Sequence, residues 1–235
     1  MKTKLIVFFI FVTALVVLCS CLIVPDNPSE PSTEKFEYKS KYSGPTYDKG
    51  EIVSYQFMCY VVNRTGQTLE DVEFEIKWVD STGKTITKDT VTIPRLEKGA
   101  KWPVGVIHDS ENDDLDRFAD FDEVSIKYIS SSSDRSRYGT TNIVTGEVSH
   151  NVTPSCAHGV ARNINSFDIL DPQVYVVTES SAGIIAEYGM AEEKDRYLLA
   201  NGGEWIFGVT LNPKAMTPYG TNCSVFVVGL RRDIL

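Results

Sequence analysis

The chain is poor in the residues that catalysis and metal binding need at fixed spacing. Of its 235 residues only 3 are histidine and 5 are cysteine. His108, His150 and His158 form no His-x-x-x-His pair, and no Cys-x-x-Cys occurs, which argues against a zinc site. There is no Gly-x-Ser-x-Gly elbow, and the serines gather in linkers where nothing would hold a triad. Gly202-Gly203 lies in a turn between strands with no helix behind it, so no phosphate cradle is formed. Basic residues are few: 23 Lys and Arg stand against 32 Asp and Glu, a net charge of -9. Phosphate backbones need clustered cations, so nucleic acid is excluded as a partner, and the acidity serves solubility. Nothing calls for a cofactor. A carboxylate pair for glycoside hydrolysis stays open, because two acids on facing strands leave no mark in sequence spacing.

What the sequence does have begins at its start. Lys2 and Lys4 precede an apolar run from Leu5 to Leu18, followed by Leu18-Cys19-Ser20-Cys21. That is the order of a secretory signal. The tetrapeptide resembles the lipobox of bacterial lipoproteins, in which cleavage precedes a lipid-bearing cysteine. The resemblance makes residues 1–20 a signal peptide and Cys21 the lipidation site. The rival is an uncleaved anchor, since apolar character continues through Val24. Both readings put the rest of the chain outside the cytoplasm, held to the outer face of the membrane. Residues 21–48, with Pro25, Pro28, Pro31 and Pro45 among polar residues, read as a spacer.

Beyond the spacer the apolar period becomes two. Val72-Glu73-Phe74-Glu75-Ile76-Lys77-Trp78 alternates along its length, the mark of a half-buried strand. Strands are expected over Ile52 to Val62, Lys84 to Ile93, Trp102 to Ile107 and Glu123 to Ile129, punctuated by Asn63-Arg64-Thr65-Gly66, Asp80-Ser81-Thr82-Gly83 and Glu97-Lys98-Gly99 turns. One short helical spacing falls in Asn112 to Phe121. About one hundred residues later the order recurs. Gly159 to Asn163 stands where Tyr60 to Asn63 stood, and Gln173 to Thr178 where Phe74 to Val79 did. Glu179 to Ile185 matches Asp80 to Ile86, and Leu198 to Val209 echoes Arg95 to Val106, with Leu, Gly, Trp, Gly and Val in common.

This order of strands and turns looks like the FxLYD-type and related immunoglobulin-like modules of prokaryotic surface lipoproteins. The resemblance implies an all-β chain of two tandem antiparallel sandwiches, over residues 49–133 and 138–235, and no enzymatic activity. It implies a binding or interaction module, whose partner would be an envelope protein or polysaccharide. The Ser-rich stretch 131–137 marks the boundary, and each half is expected to fold by itself.

Three groups remain as candidate sites. Asp109, Glu111, Asp113, Asp114 and Asp116 are dense enough in carboxylate for calcium, against which stand a solvated acidic face and the want of a turning glycine. Cys156 and Cys223 are the candidate disulfide in an oxidising exterior, and buried free thiols the alternative, with Cys59 the odd one over. Trp78, Trp102 and Trp205 offer sugar-stacking platforms or core anchors. Trp102 and Trp205 share a repeat position, which favours the core.

Overall fold

The structure, a computed structural model, describes residues 35–140, 142–149, 156–193, 197–213 and 222–234. Cys21 and the N-terminal segment lie outside them. The architecture is all-β, and every strand pairing is antiparallel. Two three-stranded sheets come from the first half. One is built from β1 (Phe36–Asp48), β2 (Glu51–Asn63) and β5 (Lys101–Asp109), in the order β1-β2-β5. Facing it are β3 (Leu69–Asp80), β4 (Thr85–Leu96) and β6 (Phe121–Ser133), in the order β4-β3-β6. Phe57, Cys59, Phe74, Ile76 and Trp78 meet between them and exclude water, the packing that an alternating strand exists to provide.

The second half repeats this topology. Here β8 (Asn142–Ser149), β9 (Cys156–Arg162) and β13 (Glu204–Thr210) form a sheet in the order β13-β9-β8. The facing sheet contains β10 (Ile169–Glu179), β11 (Ile185–Glu192) and β15 (Asn222–Arg231), with β10 central. It is widened by three short strands: β7 (Tyr138–Thr140) on β15, β12 (Leu198–Leu199) on β10 and β14 (Asn212–Pro213) on β11. Ala161, Val174, Val176, Trp205 and Phe207 fill the space between these sheets.

Equivalent asparagines show how close the repeat is. Asn63 Nδ2 donates to the carbonyls of Gln67 (2.8 Å) and Leu96 (3.0 Å), and Asn163 Nδ2 to those of Phe167 (2.9 Å) and Leu199 (3.0 Å). Both asparagines are buried, and each amide supplies a donor to a buried strand-end carbonyl, that of Leu96 or of Leu199. The next turns match as well: Gly83 N donates to Asp80 O and Gly183 N to Ser180 O. Asp80 therefore corresponds to Ser180, one position later than the sequence alignment places it.

Several boundaries differ from expectation. Residues 36–48, read as spacer, form β1, because Phe36, Gly44 and Thr46 are buried although Pro45 suggests otherwise. The helical spacing at 112–121 gives only a 3-10 turn, Leu115–Phe118, which drops Phe118 into the core. The Ser-rich stretch is no loose break. β6 runs to Ser133, and residues 134–137 are held by Glu70, whose buried carboxylate accepts from the backbone N–H groups of Arg135 (3.2 Å) and Arg137 (2.9 Å).

Most important, the halves are not separate bodies. One hydrophobic cluster joins Met58, Tyr60 and Trp102 to Tyr175, Val177, Tyr188 and Val228. The central strands show why: β2 is buried at every position from Ser54 to Asn63, and β10 from Val174 to Thr178, on both faces. A strand buried on both faces sits between two layers. Gly105 on β5, opposite Met58, leaves room for the Tyr188 ring, which a Cβ there would meet at 2.5 Å. Trp102 packs against Tyr175 and Phe226, at 5.2 Å between centroids in both cases.

Candidate functional site

The five acidic residues of the 109–116 stretch are not gathered around a common point. Asp109 Oδ1 accepts from the N–H groups of Glu111 and Asn112, and Asp114 Oδ1 from that of Asp116, so each carboxylate caps its own turn. Asp113 turns inward instead. Its Oδ2 lies 3.0 Å from His108 Nδ1, while Arg117 donates to Oδ1. Among the described residues no group of three or more His, Cys, Asp or Glu is placed to hold a metal ion.

What this stretch builds is a lock around His108. The ring is 7% exposed, with Nε2 3.1 Å from Asp89 Oδ2 and Nδ1 on Asp113. Asp89 also accepts from Trp78 Nε1 at 2.8 Å, and the indole and Phe118 press on the imidazole. A neutral imidazole has one N–H, so carboxylates at both nitrogens fit the imidazolium. Burial alone would push the His108 pKa down, but Asp89 and Asp113 together hold it above its usual value. The group is closed to ligands and joins β3, β4, β5 and the acidic turn.

The cysteines stand apart from one another. Cys156 begins β9 opposite Thr210, Cys223 is the second residue of β15, opposite Thr178, and the two lie in different sheets as free thiols. Cys59 is buried in the first core, and desolvation pushes its thiol up to about 12. Trp78, Trp102 and Trp205 are all buried, so none is a platform for sugars.

A concave surface lies where the halves meet. A cleft of about 400 Å³ opens between Thr92 and Pro94 of β4, Tyr138 of β7, and the β10, β11 and β15 sheet. On that sheet Asp171, Gln173, Tyr175 and Glu192 provide the polar wall and Val228 and Leu230 the apolar floor. A smaller recess of about 210 Å³, reaching Trp102, Tyr188 and the exposed Met190, shares Thr92 and Tyr175 with it. The first volume falls within the range of small-ligand sites, about 300–1,000 Å³. Gln173 is held between neighbours: its Oε1 accepts from the Tyr175 hydroxyl (2.9 Å) and its Nε2 donates to Glu192 (3.3 Å). Asp171 differs. Its Oδ1 is buried and has no hydrogen-bond partner among the described residues.

The backbone holds Asp171 there at a cost. It has φ of 48°, a left-handed conformation that Asp and Asn adopt more readily than other non-glycine residues. The strand is irregular at that point, its register with β15 shifting between Leu170 and Gln173. None of the cleft residues stood out from sequence spacing. The one signal available was the recurrence of Asp71 as Asp171, close to the repeat's interval of about one hundred residues.

No protein-family model matches the chain, and no curated protein matches it. Among solved structures, the crystal structure of red sea bream transglutaminase aligns with 84% of this chain at 8% identity and a TM-score of 0.27. The alignment spans 29% of that protein's chain. So loose a superposition carries no argument. Among the described residues, no helix is long and apolar enough to cross a membrane.

Proposed function

We propose that this is an exported protein, tethered by lipid on Cys21 to the outer face of the membrane, whose β body is a non-catalytic binding module. The N-terminal order of charge, apolar run and Cys21 supports the tether. The order of strands and turns shared with surface-lipoprotein modules supports the rest. The site is the cleft at the seam of the two halves. The observation that carries this is the cleft itself, about 400 Å³ in volume, with Asp171, Gln173, Tyr175 and Glu192 beside an apolar floor of Val228 and Leu230. Small-ligand sites combine a concave volume of this size with a few polar groups on an apolar lining.

The test is a photo-crosslinking residue placed at Thr92, on the cleft rim, in the protein within its native envelope. A control at Ile129, exposed on β6, reports non-specific contact. A discrete adduct from position 92 alone is expected. Adducts of equal yield from both positions, or none from 92, contradict the assignment. The tether is checked by fatty-acid labelling: Cys21→Ser should lose the label entirely, and undiminished labelling would remove the lipid from the account.

A further inference from the structure

β4 is the outer strand of its sheet, so among the described residues only its β3 side is hydrogen-bonded in a ladder. Pro94 tells which of its residues face the other way. A proline sits in a strand where its missing N–H would point off the ladder. Bonded and unbonded positions alternate along an antiparallel pair, so Thr92 and Thr90 turn their N–H and C=O groups to the same free side as Pro94. The pairing of β4 with β3 has no irregularity between Leu96 and Thr87, which keeps that alternation. Among the described residues, the main chain of neither threonine finds a partner beyond β3.

Both cavities of the seam lie along this edge. Thr92 and Pro94 line the larger one, and Thr90 to Ile93 the smaller. Opposite stand Tyr175 and Leu230 in the first, Tyr175 and the exposed Met190 in the second. From Thr90 to Pro94 an extended chain covers about 13 Å, room for a partner strand of about five residues. The edge of β6 is treated differently. Lys41 reaches across from β1 and donates to the carbonyl of Val124, and a lysine so placed guards an edge against a further strand. On β4 the lysine next to the cleft, Lys88, is turned to Glu75 at 2.9 Å instead, and Pro94 stops pairing at one end only.

We infer that the seam cleft binds an extended peptide segment of a partner protein, which adds to β4 as a strand. This rests on the cleft being the binding site. A row of main-chain donors and acceptors at strand spacing matches another peptide backbone more closely than it matches a sugar or a small ion. Hydrogen bonds to Thr90 and Thr92 hold the segment whatever its sequence. Its alternate side chains face Tyr175, Leu230 and Met190, which sets a preference for apolar residues at every second position.

The test pans a phage library of random heptapeptides on the full-length, detergent-solubilised protein, and the peptide selected is synthesised and titrated. Two further versions carry N-methyl groups on its odd or on its even amides, so that each lacks the main-chain donors of one edge. Thr92→Pro takes the N–H from the free side of β4 and leaves the ladder with β3 in place, and its melting temperature shows that the fold is kept. The selected peptide should alternate apolar residues. One N-methylated version should bind about tenfold more weakly or worse while the other stays close to the parent, and Thr92→Pro should weaken binding by a similar factor. Failure to select any peptide overturns the inference, as do equal affinities of the two N-methylated versions, or binding that Thr92→Pro leaves unchanged. The photo-crosslinker at Thr92 then tells this failure from that of the cleft: a discrete adduct with an envelope polysaccharide removes the peptide and keeps the cleft, and no adduct removes both.

Discussion

Asn63 and Asn163 show what one residue does in this fold, since each amide ties the end of one strand to the turn that begins another. Replacing Asn63 with Ala removes the amide's bond to the buried Leu96 carbonyl, a group worth about 1–3 kcal/mol when left without a donor. A loss of roughly 1–3 kcal/mol is expected for Asn63→Ala and a similar one for Asn163→Ala, read from urea denaturation midpoints. His108 gives a pH signature instead. Its pKa is raised in the folded protein, so its stabilisation is fully present below the unfolded value, about 6.5, and is lost as pH rises through the folded value. Stability should therefore fall as pH rises above about 6.5, by an amount that is absent in His108→Gln. An identical pH slope in the variant would mean that the doubly bonded imidazolium is not what holds this corner.

At the scale of elements, strand positions were legible because alternation is a local property. Val72 to Trp78 alternates, and β3 covers it. β1 was missed because a strand containing Gly44 and Pro45 among charged residues has the composition of a spacer. Its burial depends on β2, which no local window includes. The joining of the halves was missed for a related reason. The apolar run from Phe57 to Val62 is too continuous for a strand with one wet face, and only the second half explains what covers the other. Gly105 is where this can be measured. Gly105→Ala drives a methyl into the Tyr188 ring and should cost about 1–3 kcal/mol. In a Tyr188→Ala background the same substitution should cost almost nothing, and additive losses would show that β5 and β11 do not press on each other.

For the whole molecule, the repeat predicts two sandwiches, and the packing makes them one body with the candidate site at their seam. The Asp171 cleft was invisible in the sequence because its walls come from β4, β7, β10, β11 and β15, and only the docking of one half on the other brings them together. Trp102 belongs to that docking. It matches Trp205 in register, but Trp205 packs on Phe207 within its own half while Trp102 reaches Tyr175 and Phe226 across the seam. Calorimetric unfolding of the protein and of Trp102→Ala tests the shared core most directly. The parent should unfold in one transition whose calorimetric and van't Hoff enthalpies agree, and the variant, about 3–5 kcal/mol less stable, should shift that whole transition downward. Two transitions in the parent, with Trp102→Ala lowering one and leaving the other in place, would contradict it.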